Sequence, residues 1–297
     1  MQVGNKVDYN DYKGFLGPIR PCLICGNDHN GEKRINWAID VYFQALKCDD
    51  CGMITVDPCL TPAGLNKYYG DVSKKRLADQ KKTEYRERQY VIDKKFLEMI
   101  TSNGRVLDVG CHGGHFLNIL SDDFEKYGID INKDAVEYAN DQFSFDVKNE
   151  DIVTNSFKNN FFDIIVYRGV IEHLYDPKNA FEISYELLKE KGKIFVAATP
   201  NVDSFCAEMY REKWNLWHPI EHINLFSIKT IHSIIGKDRY KIIDIDYPYI
   251  GTPYENRVSD YNTILNDIYN LKSGRKDQVS TSPPFWGNML SVIFEKF

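Results

Sequence analysis

Apolar and polar positions change period repeatedly along this chain. The stretches 105–109, 126–130, 144–147, 162–167 and 193–198 are short apolar runs bounded by polar or glycine-containing turns, and they predict strands. Between them, residues 114–121, 133–142 and 177–189 carry apolar side chains at helical spacing. Asp176-Pro177 marks one helix start, with the acid as N-cap and proline at the first helical position. Such alternation predicts an α/β fold, a mostly parallel Rossmann-like sheet covered by helices on both faces. Tyr240–Tyr247 and Met289–Lys296 predict late strands that pair as an antiparallel edge. Upstream, residues 73–100 read as helix, preceded by a connector, Thr61–Gly70, whose proline and glycines mark breaks.

Ligands of open parallel sheets bind at the carboxyl ends of the strands. There Asp108-Val109-Gly110-Cys111-His112-Gly113-Gly114 forms a tight turn that brings backbone close to a ligand. A second strand ends on Asp130, 22 residues after Asp108, where a carboxylate can accept both hydroxyls of a ribose. Together they point to a nucleoside cofactor.

The cysteines add a second chemistry. Cys22-x-x-Cys25 and Cys48-x-x-Cys51 are two knuckles, each followed by a glycine (Gly26, Gly52) that suits the turn pointing amides at sulfur. They predict one structural zinc in a ribbon over residues 1–60, with Ala38–Leu46 as strand. Cys59, Cys111 and Cys206 read as small buried hydrophobes.

Composition narrows the field. A chain of 297 residues that is 43% hydrophobic can bury a large core, and a net charge of −6 gives no reason to expect a nucleic-acid partner. The run Lys74–Lys95 holds nine basic and four acidic residues and reads as a solvated helical face. No apolar run approaches the roughly 20 residues of a membrane span, and the polar N-terminus lacks a signal-peptide core, so a cytoplasmic location is expected.

These motifs in combination resemble class I S-adenosylmethionine-dependent methyltransferases, across roughly residues 95–297. Val106–Phe116 looks like the family's first motif, Asp130-Ile131 like its ribose-binding acid, and Asn149–Ile152 like the segment whose acid meets the adenine amine. Phe161–Val166, Ile171–Pro177 and Gly192–Asn201 resemble the fourth strand, its exit and the fifth strand. The resemblance implies that Asp108, Gly110 and Gly114 cradle the methionine end of S-adenosylmethionine. Asp130 and Ile131 would hold the ribose, and Asp151 and Ile152 the adenine, with Arg168 completing the set. The loop departs from the usual Gly-x-Gly-x-Gly at His112, a residue type tolerated at positive φ.

With its ribbon, the chain looks like a subgroup acting on sugars and surface glycans. This implies a zinc ribbon (1–60), a helical connector (61–100) and a cofactor-binding methyltransferase domain (101–297). The expected reaction is O-methylation of a carbohydrate or a surface-glycan precursor of capsule or lipopolysaccharide. His173 is the expected general base, with Glu172 orienting its ring or holding a cation. Trp214, Trp217, His218, Glu221 and His222 would form an acceptor lid. His218-x-x-Glu221-His222 has the spacing of a zinc peptidase, but Pro219 denies it the required helix. C-methylation of a nucleotide-linked keto-sugar, with His222 as base, and O-methylation of a capsule phosphoramidate are alternatives. An RNA-directed zinc ribbon is a further one, opposed by the Asp49-Asp50 pair in its knuckle. The oligomeric state stays open.

Overall fold

In the computed structural model the described residues are 9–28, 34–39, 42–78 and 80–297. The side chains of residues 73–84 lie outside this description, and with them half of the Lys74–Lys95 run. The central sheet is built from β4 (Gly104–Val109), β5 (Phe124–Ile129), β6 (Asp146–Lys148), β7 (Phe162–Arg168), β8 (Leu188–Pro200), β10 (Tyr240–Asp246) and β11 (Met289–Lys296). Its order is β10-β11-β8-β7-β4-β5-β6. β4 through β8 pair in parallel, whereas β11 lies antiparallel to both β8 and β10. This is the expected doubly covered sheet with its antiparallel edge. Ile164, Ile165, Val166 and Tyr167 are all buried, as are Ile194, Phe195, Val196 and Ala197. Such continuous burial means that both faces of these strands are covered.

Helices α3 (His115–Ile119), α4 (Lys133–Gln142), α5 (Pro177–Leu187), α6 (Phe205–Tyr210), α7 (Ile228–Ile235) and α8 (Arg257–Lys272) follow the strands. The Asp176 carboxylate accepts from Asn179 N and Pro177 opens α5, as the sequence predicts.

Two expectations change upstream. The connector is helical as expected, but without the break read at Thr61–Gly70: α1 (Pro62–Ala78) runs through that stretch before α2 (Gln80–Glu98). Pro62 sits in the first turn, where its missing N–H costs nothing, so it starts a helix instead of breaking one. Residues 38–46 are not one strand. β1 (Arg34–Ile39) and β2 (Gln44–Cys48) form an antiparallel hairpin, and residues 40–41 between them fall outside the described set.

A second sheet runs β1-β2-β3-β9, where β3 is Ile54–Val56 and β9 is Asn224–Leu225. Its last strand comes from the C-terminal half of the chain. Trp37, Leu60, Leu65 and Tyr68 share a core with Val202, Tyr210, Trp214, Trp217 and Ile223. The N-terminal strands are therefore fastened to the 200–225 segment by both backbone pairing and apolar burial. No helix among the described residues is long and apolar enough to cross a membrane.

Candidate active site

The turn after β4 is bent by three residues with positive φ, Gly110 (+70°), His112 (+50°) and Gly114 (+74°). A Cβ on Gly110 would lie 2.8 Å from Val170 Cγ2, so this position excludes any side chain. His112 takes the left-handed conformation that its place in the loop demands. Its N–H donates to Asp130 Oδ2 at 2.8 Å, and Asn132 N donates to Oδ1 at 2.8 Å. Asp130 thus fastens the glycine turn to the start of α4, and Asn149 Nδ2 donates to its carbonyl at 2.9 Å. Burial raises the Asp130 pKa against these backbone donors.

Asp108 is 2% exposed, and burial pushes its carboxyl up to about 8, with Arg168 opposing and Asp130 adding to the rise. No group among the described residues hydrogen-bonds its Oδ1. A buried carboxylate oxygen without a donor suits an ammonium group, so the turn fits the methionine end of the cofactor. Arg168 is otherwise engaged: its Nε lies 2.7 Å from Asp93 Oδ2 of α2, and its guanidinium stacks over Tyr90. Asp151 caps the short turn Ile152–Thr154 by accepting from Val153 N at 2.8 Å. Ile152 is buried beneath it, and Ile131 is exposed.

The loop after β7 carries Glu172 and His173, which meet His222 from the segment preceding β9. Glu172, His173 and His222 offer ligand atoms that all lie within 4.8 Å of one another. The His173 and His222 rings stand 4.9 Å apart, and His218 lies 5.3 Å from His222. Each histidine places Nδ1 against a backbone carbonyl at 2.9 Å, His173 on Glu221 O and His222 on Leu216 O. In the tautomer that carries its proton on Nδ1, each ring donates there and keeps a lone pair on Nε2. Burial, with the neighbouring His173, pushes His222 down to about 3. Glu172 is 2% exposed and raised by burial; it accepts from Thr199 Oγ1 at 3.2 Å and stands 3.8 Å from His173 Nε2.

Residues 218–222 form a turn, with His222 N donating to His218 O at 2.8 Å, so no peptidase helix forms there. The tryptophans differ from expectation. Trp214 and Trp217 are buried (2% and 8% exposed) against Trp37, so they form core and not an open sugar platform. Sequence reasoning also missed Arg20, Asp57, Thr199 and Asn224, which hold these loops from beneath. Asn224 Nδ2 donates to Leu174 O at 2.7 Å, directly behind His173.

Away from this cleft, Cys22, Cys25, Cys48 and Cys51 gather with all four sulfurs within 4.8 Å of one another. Cys22 and Cys51 sulfurs are 3.3 Å apart and those of Cys25 and Cys48 3.7 Å. Tetrahedral zinc with Zn–S of about 2.3 Å separates its sulfurs by about 3.8 Å, so the donor set fits that ion. Gly26 N and Gly52 N close the two knuckles on Cys22 O and Cys48 O at 2.8 Å.

Residues 84–240 match the methyltransferase-domain family. Phosphoethanolamine N-methyltransferase 1 of Triticum aestivum is 26% identical over 206 residues, covering 63% of this chain and 41% of the relative. Putative methyltransferase 235L of Invertebrate iridescent virus 6 is 25% identical over 178 residues, covering 54% and 67%. The chain thus spans under half the length of the wheat enzyme it matches. A solved SAM-dependent methyltransferase from Thermotoga maritima, a possible histamine N-methyltransferase, overlays with a TM-score of 0.52 at 14% identity, over 77% of this chain and 99% of that one. Another from Archaeoglobus fulgidus gives 0.50 at 19% identity, over 77% and 100%. These overlays agree in fold.

Proposed function

Because the chain belongs to the methyltransferase-domain family, we propose that it transfers a methyl group from S-adenosylmethionine to a hydroxyl of a carbohydrate or surface-glycan precursor. The observation that carries this reading is the His173–His222 pair, two imidazoles 4.9 Å apart at the carboxyl end of the sheet, each with Nδ1 on a backbone carbonyl. A sugar hydroxyl is a weak nucleophile at neutral pH and needs a base at hand.

Bound S-adenosylmethionine supplies an electrophilic methyl group on a sulfonium centre. Asp108 would meet the ammonium of its methionine portion across the turn at Gly110 and Gly114. Asp130 and Ile131 would hold the ribose, and Asp151 and Ile152 would border the adenine. Arg168 acts at one remove, holding α2 to the end of β7 and drawing the Asp108 carboxyl toward its charged form. His222, pushed down to about 3, stays neutral and is too weak a base to take a proton. His173 is therefore the base. His173 Nε2 would take the acceptor hydroxyl's proton as the methyl group leaves sulfur for oxygen, the sulfur keeping the electron pair of the broken bond in S-adenosylhomocysteine, and Glu172 beside that nitrogen would balance the charge that forms. The wheat relative favours a second reading, methylation of the amine of a small phosphorylated amino alcohol. Product mass and hydrolysis behaviour separate an O-methyl ether from an N-methyl amine.

We read residues 1–60 as a zinc module, 61–100 as its helical connector and 101–297 as the catalytic domain. About one zinc per chain is expected in unchelated protein, and a Cys48→Ser variant should lose it with a clear drop in melting temperature. Purified protein free of zinc would contradict the assignment.

Free Asp108, at about 8, is mostly protonated at pH 7, and an ammonium ligand favours its carboxylate. S-adenosylhomocysteine binding at pH 7 should therefore release a proton from this group, and affinity should climb as pH rises toward 8. Calorimetry in buffers of different ionisation enthalpy measures the release. An Asp108→Asn variant should abolish it; equal release in both proteins would contradict the role.

A further inference from the structure

Arg20 lies two residues before the first knuckle cysteine, is 6% exposed and spans four segments of the chain. Its Nε is 2.9 Å from Asp57 Oδ1, itself fully buried just past β3. Nη2 donates to Ile223 O at 3.1 Å and to Val56 O at 3.3 Å, and Nη1 donates to Tyr175 O at 3.3 Å. The guanidinium also lies over the Tyr175 ring, 5.4 Å from its centroid. Ile223 is the residue after His222, and Tyr175 is two residues after His173. One planar cation thus grips the backbone beside each histidine.

We propose that Arg20 is a positioning residue for the His173–His222 pair, and that the cysteine module sets the pair's geometry through it. The inference rests on the reading of those histidines as the reacting site. Stability alone gives a poor account of this arrangement. A buried ion pair is on balance no more stabilising than apolar residues of the same volume. What a guanidinium offers is a rigid fork of five donors, which fixes the directions of several acceptors at once. Here the acceptors are one carboxylate and carbonyls from β3, the loop after β7 and the strand-leading segment before β9. Cys22 lies just beyond Arg20 and Cys51 lies ahead of β3, so knuckle closure holds both Arg20 and its Asp57 partner in place. Asn224 supplies a second tie between the same two loops through Leu174 O.

The consequence is separable from folding. Loss of Arg20 frees the histidine loops to shift relative to each other, and a displacement of about 1 Å at a reacting centre costs about 100-fold in rate. None of these guanidinium bonds reaches Asp108 or Asp130, so cofactor affinity should persist. The experiment compares Arg20→Ala, Arg20→Lys and Lys296→Met by hydrogen exchange, S-adenosylhomocysteine binding and turnover. Lys296 is a buried cation on β11 that donates to Tyr185 O and Leu188 O, and it serves as the control for generic destabilisation. In Arg20→Ala, peptides over 171–176 and 218–226 should lose protection while β4 and β7 keep theirs. S-adenosylhomocysteine affinity should hold within about twofold and kcat should fall about 100-fold. Methylguanidinium should restore part of the turnover, and Arg20→Lys should fall between. Unchanged exchange in the two histidine segments would overturn the proposal, as would a fall in kcat no greater than in a Lys296→Met protein of equal melting temperature. If wild-type protein methylates no hydroxyl acceptor, the base assignment fails, and the exchange pattern still decides whether Arg20 holds these loops.

Discussion

Asp130→Ala is expected to lower affinity for S-adenosylhomocysteine by at least about 100-fold. Two losses combine in this variant. The carboxylate no longer meets the ribose hydroxyls, and hydrogen bonds to a charged partner contribute about 1.5–3 kcal/mol each. The N–H groups of His112 and Asn132 also lose their acceptor, which unfastens the glycine turn from α4. His112 makes this second loss matter more than it would with glycine, because a side chain at positive φ must be held there by its surroundings. Asp130→Asn should be milder, since its amide oxygen still accepts one backbone bond. Calorimetric titration of the three proteins measures the series. Equal affinity in wild type and Asp130→Ala would remove Asp130 from the cofactor site.

His173→Ala should leave S-adenosylhomocysteine binding intact and lower kcat by about 10²–10⁴-fold, the usual range for a lost general base. His222→Ala should also cost turnover, through lost packing against the His173 ring and loss of a neutral hydrogen-bond acceptor, but by less than His173→Ala. A His173→Ala enzyme of normal rate would exclude it as the base.

The parts of this structure that are legible in the sequence are those set by local pattern. Apolar runs at 105–109 and 162–167 become buried parallel strands because nothing but a covered sheet accommodates them. The knuckles are legible because ligand spacing is short-range, and all four sulfurs do converge. Pro62 reads as a break because proline both ends and begins helices, and only the conformation of the residues after it decides between the two. The pairing of β9 with β3 leaves no signal, since a two-residue strand has no period and its partner lies far away in sequence. Arg20 is invisible for the same reason: its acceptors are backbone carbonyls, which every residue carries. Trp214 and Trp217 look like a sugar platform because aromatic side chains read alike in a core and in a cleft, and it is Trp37 from the distant hairpin that covers them.

The most direct test of O-methyl transfer to a sugar is a screen for S-adenosylhomocysteine release against nucleotide sugars, sugar phosphates, capsule precursors and phosphorylated amino alcohols, with the mass and methylated atom of each product determined. The expected result is a carbohydrate product carrying one new O-methyl group, lost in the His173→Ala protein. A product methylated on nitrogen or ring carbon, or an O-methyl product formed equally well without His173, would contradict it.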